Sequence, residues 1–169
     1  MIGGAVVRAA RRSAGLSRQD LARTLAVNSV TVRTWENGTR PLFSARYDQL
    51  CQIADALRKT GALVGQEVAE LVLASQCDLL IAGILHGFED YAEVPPIDDD
   101  TAGKAARGLL RWALTGVVSD RYRQYAPTGL LLARPDVMMF AAVARNLQTG
   151  SRGSDLASYG ATLVALTRQ

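Results

Sequence analysis

The segment Ser17–Gly38, S-R-Q-D-L-A-R-T-L-A-V-N-S-V-T-V-R-T-W-E-N-G, constrains the fold more than any other part of the chain. It opens on Ser17, whose hydroxyl can accept from the backbone N–H of Asp20 while the Asp20 side chain reaches back, a capping-box arrangement. Leu21, Ala22 and Leu25 then share one helical face. After Ala26-Val27, Asn28 can cap a second helix, Ser29–Glu36, which Asn37-Gly38 brings to a stop. Helices this short are marginal alone, so each must bury its apolar face against the other and against neighbours. At about 100° per residue, Val32 and Trp35 fall on one side, positioned to pack on Leu21, Ala22 and Leu25. Ser29, Val30, Arg33, Thr34 and Asn37 share the other side, a small, hydrogen-bonding surface with one cation and no acid.

Helical punctuation continues on both sides of this segment. A helix over about Ala5–Ala14 stops at Gly15, and another over about Ala45–Lys59, after Pro41, turns Leu50, Ile53, Ala54 and Leu57 inward. The first 60 residues thus read as five short helices. Gly61–Asp90 reads as one long helix whose apolar face is too wide for a surface helix, so burial is expected on two sides, within its own domain or by a second subunit. After the loop Glu93–Ile97, the Asp98-Asp99-Asp100 triplet precedes a helix over Thr101–Asp120, where carboxylates favour the positive helix end. Two further helices fit Pro135–Leu147 and Asp155–Thr167. No alternating apolar–polar run bounded by hairpin residues is evident, so the fold class is all-α.

The length of 169 residues accommodates a small domain at 1–60 followed by a larger one at 61–169. The net charge of +3 hides a division between them: residues 1–60 carry +6 and residues 61–169 carry −3. A basic head on an acidic body points to a polyanionic partner for the head alone. Uncharged runs such as Leu79–Phe88 fall well short of the roughly 20 residues a membrane helix needs. Arg8, Arg11 and Arg12 interrupt the apolar residues near Met1, against a secretory signal. Cys51 and Cys77 lie in apolar helical patterns and read as reduced, buried thiols. A cytoplasmic protein without membrane contact is expected. There is no Gly-rich phosphate loop or metal-ligand spacing, and the single His86 has no nucleophile or acid at helical spacing. No enzyme, metal or cofactor is expected.

The stretches A-A-R-R-S-A-G-L-S-R-Q-D-L-A, V-T-V-R-T-W-E-N-G-T-R-P and L-C-Q-I-A-D-A-L resemble the helix-turn-helix domain of the phage-repressor (Cro/C1, or XRE) family, over about residues 5–60. The resemblance implies a five-helix DNA-binding domain whose third helix enters the major groove while the start of the second crosses the sugar–phosphate backbone. It places Ser29, Val30 and Thr34 at base-reading positions, with Asn28 at the start of that helix and Arg33 beside them. It matches Ser17 and Arg18, with Asn37, Thr39 and Arg40, to phosphate-contacting positions, and Arg11 and Glu36 to a structural salt bridge. One departure stands out. The family often reads adenine with Gln or Asn, whereas this chain has Ser29, Val30 and Thr34, which shifts weight onto Arg33 and DNA shape.

The implied function is a sequence-specific transcriptional regulator, a repressor acting as a homodimer on a palindromic operator in double-stranded DNA. Residues 61–169 would form an α-helical dimerisation and regulatory domain, open to a small-molecule or protein effector. Trp112, Tyr122, Tyr125 and Phe140 could line an apolar pocket there, although ordinary core packing is the stronger explanation of them. Tyr122 and Tyr125 interleave with Arg121 and Arg123, a weak sign of a second nucleic-acid surface. Neither cysteine has a thiolate-stabilising neighbour that would suit a redox switch. The alternative is an antitoxin-like protein whose acidic body binds a partner protein while the head autoregulates its operon.

Overall fold

The computed structural model describes residues 1–58, 67–86, 101–118, 123, 131–150 and 155–168. Every regular element among them is helical. In chain order they are α1 (Ile2–Ser13), α2 (Arg18–Thr24), α3 (Ser29–Glu36), a 3-10 turn (Leu42–Ser44), α4 (Tyr47–Arg58), α5 (Glu67–His86), α6 (Thr101–Thr115), α7 (Arg134–Gly150) and α8 (Asp155–Thr167). Residues 1–58 therefore hold four α-helices and one 3-10 turn, where five helices were expected. The Asp98–Asp100 triplet, the Glu93–Ile97 loop and the Arg121, Tyr122 and Tyr125 cluster lie outside the described residues, and Arg123 is an exposed turn residue.

Helix α1 is the hub. It packs on α3 on one side and on α5 and α6 on the other. Ile2, Val6, Val7 and Ala9 are fully buried. It starts three residues earlier than the apolar pattern suggests, because its first turn is capped from a distance. The buried Asp78 carboxylate, in the middle of α5, accepts from the Ile2 backbone N–H through Oδ1 and from the Gly3 N–H through Oδ2 at 2.9 Å. Two of the four unpartnered donors at a helix start are thereby satisfied, and negative charge sits at the positive end of the helix. Glycine at position 4 lets the main chains of α1 and α3 approach closely. A Cβ there would lie 2.2 Å from the Trp35 carbonyl oxygen.

Helix α5 is largely apolar and packs within its own chain against α1, α4, the 3-10 turn, α6 and α7, with Val72, Leu73 and Leu79 left half-buried. Leu71, Ala74, Cys77, Leu80, Ile81 and Ile84 join the same continuous core as Val32, Trp35 and Leu57. Within α5, Ala69–His86 is long and apolar enough to cross a membrane by length and composition, although Glu70 and Asp78 break it into shorter uncharged runs. Here 56% of that stretch is buried inside the protein, and Asp78 at its centre is bonded to α1. It is a core helix in this fold.

Trp112 and Phe140 are also fully buried in this core. Two grooves among the described residues of the body have other linings: Arg107, Arg111, Ala161, Thr162, Ala165 and Leu166 in one, and a set around Leu114, Val117, Val137 and Met138 in the other. Cys77 is a buried free thiol whose ionisation is pushed up by burial and the Asp78 charge, so it is chemically quiet. Cys51 is a half-buried free thiol on α4, and His86 is exposed in the last turn of α5.

Burial pushes the Asp78 carboxyl up to about 6, against the opposing pull of the Met1 amino group and the Gly3 and Ile2 donors. Its folded value thus exceeds the unfolded value of about 4. The stability it contributes is present in full below about pH 4 and lost as pH rises through about 6, to the extent of roughly 2–3 kcal/mol. In urea unfolding across this range, Asp78→Asn should remove that slope. A variant tracking the wild type throughout would show that another group carries it. Gly4→Ala should cost at least about 2 kcal/mol, because a buried backbone must move.

Candidate nucleic-acid interface

Ser17 caps α2. Its Oγ accepts from the Asp20 N–H at 3.1 Å and donates to Asp20 Oδ2 at 2.6 Å, while the Ser17 N–H donates to the same oxygen at 3.0 Å. These Ser17 bonds, the side-chain one foremost, hold the Asp20 carboxyl below the usual carboxylate range. The turn into α3 passes through Ala26, a non-glycine residue at φ 52°, and closes with the Val27 N–H donating to the Ala22 carbonyl at 2.9 Å. An L-residue in that left-handed region costs about 1 kcal/mol. Packing of Leu25 and Val27 on the core offsets it. Asn28 Oδ1 then accepts from the Val30 N–H at 2.8 Å and caps α3.

The two faces of α3 separate as the projection predicts. Val32 and Trp35 are buried, and Val30 is 50% exposed with Arg33 and Asn37 beside it. Ser29 and Thr34 are half-buried. The Thr34 hydroxyl donates to the Thr31 carbonyl at 2.8 Å, which leaves its lone pairs to accept. After α3, Asn37, Thr39 and Arg40 are exposed, and the Arg40 N–H donates to the Thr34 carbonyl at 3.1 Å, folding this loop against the helix. Among the described residues, the Arg33 and Arg40 side chains make no hydrogen bond or ion pair, so both guanidiniums are available to a ligand.

The last residue of α3 ties the three helices together. Glu36 is wholly buried, and its Oε1 lies 2.5 Å from Arg11 Nε. Its Oε2 accepts from Arg18 Nε at 2.7 Å and from Arg11 Nη2 at 3.3 Å. Arg11 Nη1 also donates to the Leu16 carbonyl at 2.5 Å. One carboxylate thereby fixes the end of α3 to α1 and to the start of α2. The sequence places Arg18 only among phosphate contacts; the structure gives its Nε to Glu36 and leaves the side chain 38% exposed. Nothing in the spacing of residues 18 and 36 reveals this second partner. Asp78 and Gly4 also escape a sequence reading, since their significance lies in helices packed from elsewhere in the chain.

Two consecutive short helices, a tight turn, a buried seam and an outward polar face on the second define a helix-turn-helix unit. Residues 4–70 match the family model of a helix-turn-helix domain, a span that runs past α4 into the first turn of α5. The chain therefore carries a domain of the DNA-binding, regulator type. No curated protein and no solved structure matches the chain significantly.

Removing one partner of a buried ion pair typically costs about 3–5 kcal/mol, since it strands the other charge. Glu36→Ala should lower stability by about that amount in urea unfolding followed by circular dichroism. Arg18→Ala should cost less, because its partner retains Arg11. Equal losses from the two variants would contradict the ranking.

Proposed function

We propose that the chain is a cytoplasmic, sequence-specific DNA-binding transcriptional regulator, a repressor acting as a homodimer on a palindromic operator. The observation that carries this reading is the outward face of α3, where Arg33, Val30, Ser29 and Thr34 project from a helix whose other face is locked into the core. A helix about 10–12 Å across fits the DNA major groove, roughly 12 Å wide. Arg33 is suited to the N7 and O6 acceptors of guanine, Val30 to a thymine methyl, and Ser29 and Thr34 to several base edges. Asn28 retains its amide N–H groups for a contact while its oxygen serves as the cap. Ser17, Arg18, Asn37, Thr39 and Arg40 would hold the backbone. In this reading Ser17 acts mainly through the helix start that it organises, and Arg18 through the nitrogens not engaged with Glu36.

A single head of this size reads few base pairs, so two heads about 34 Å apart on one face of the duplex give a repressor its specificity. Most of α5 is covered within the chain, but Val72, Leu73 and Leu79 stay half-buried along one stripe of it. Among the described residues, the exposed Val117, Met138 and Met139 on the body offer apolar surface to a second copy. In this division of labour, residues 1–60 read DNA and residues 61–169 pair the heads and receive any effector.

Selection of bound duplexes from random DNA with the full chain should yield a palindrome with half-site centres one helical turn apart. Arg33→Ala should relax preference at one position by about 1–3 kcal/mol, whereas Arg40→Ala should weaken binding to all sequences. Identical behaviour of the two variants would refute the assignment of base and backbone roles. A monomer by sedimentation, with and without DNA, would refute the dimer.

A further inference from the structure

The junction of α1 and α2 gathers more positive charge than the scaffold uses. Arg8, Arg11 and Arg12 lie within five residues on α1, and Arg18 joins them from the start of α2. Glu36 is the counter-ion of Arg11 and Arg18, and both of its oxygens are occupied by them. Arg8 is half-buried, and its Nε is shut away from solvent without a hydrogen-bond partner among the described residues. Arg12, one turn further along the same face, is exposed, and its side chain likewise has no partner among the described residues. Burial first, then the Arg12 guanidinium, and after it Arg18 and Arg11, pull Arg8 below its ordinary range; only Glu36 opposes them.

Desolvating a cation among like charges is unfavourable unless an anion shares the site. The Arg11–Glu36–Arg18 link is complete without Arg8 or Arg12. We propose that Arg8 and Arg12, with the free edge of Arg18, form a site for a backbone phosphate of bound DNA, extending the contact surface from the start of α2 along α1. The proposal rests on the DNA-binding reading above and adds two residues that neither the helix-turn-helix pattern nor the face of α3 singles out. A phosphodiester suits the cluster because its two unesterified oxygens accept from several guanidiniums at once, each bond charge-assisted. A cluster of this kind contributes affinity and salt dependence and carries no sequence information.

The test is the salt dependence of binding of the full chain to its selected duplex, for wild type, Arg8→Ala, Arg12→Ala and Arg8→Lys, with the fold of each checked by circular dichroism. Each alanine variant should flatten the slope of log K against log salt by up to about 0.9 per bound head, the full worth of one phosphate, a loss relative to wild type of up to about eightfold per head for each tenfold lowering of salt. The selected sequence should stay the same, and Arg8→Lys should keep most of the slope. If Arg8→Ala does not fold, Arg12→Ala and Arg8→Lys decide the outcome. Wild-type slopes in the folded alanine variants, with DNA binding intact, would overturn the cluster and leave the regulator reading standing. A changed sequence preference in Arg12→Ala would also overturn it, since that marks a base contact. Absence of DNA binding by the wild type itself would overturn both.

Discussion

A carboxylate can be buried only where donors surround it, and this chain buries two of them against the same helix. Asp78 holds the first turn of α1 from the middle of α5, and Glu36 holds Arg11, three turns along, from the end of α3. Between these two anchors α1 has little freedom to slide or rotate, and both halves of the chain are referred to it. The placement of α3, and with it the outward face proposed to read DNA, follows from that double anchorage together with the backbone contact at Gly4.

Local chemistry was legible in the sequence wherever the partners lie within a few residues. The Ser17–Asp20 capping box, the Asn28 cap and the limits of the Ser29–Glu36 helix depend on contacts two to four residues apart, and the structure reproduces them. The division of α3 into a buried seam at Val32 and Trp35 and an open face at Val30 and Arg33 follows equally from helical periodicity. Legibility failed where long-range packing decides. Gly3 and Gly4 argue against helix by propensity, so α1 was expected to begin at about Ala5; Asp78, more than 70 residues away, overrides that preference. Ala26 carries no sign of its left-handed backbone, since alanine is a poor occupant of that region and tertiary contacts hold it there.

The wide apolar surface of α5 shows how one pattern admits two structures. Its periodicity demanded burial on two sides without saying whose side chains would supply the second. The chain supplies much of that cover, from α1, α4, α6 and α7, and leaves Val72, Leu73 and Leu79 half-buried. Close approach recurs in the body, where a Cβ at Gly160 on α8 would lie 2.5 Å from the Gln148 backbone nitrogen on α7. The main chains of that pair meet as nearly as those of α1 and α3 do.

None of the side chains on the open face of α3 takes part in the core. Val30 and Arg33 project outward, Thr34 bonds only within its own helix, and the helix is secured by Val32, Trp35, Glu36 and main-chain contact at Gly4. On the proposed reading, address and chassis are therefore written in different residues. Substitutions at the exposed positions 30 and 33 can drift through chemically dissimilar side chains at little expense to folding, so on that reading related chains diverge in what they recognise while keeping an unchanged scaffold.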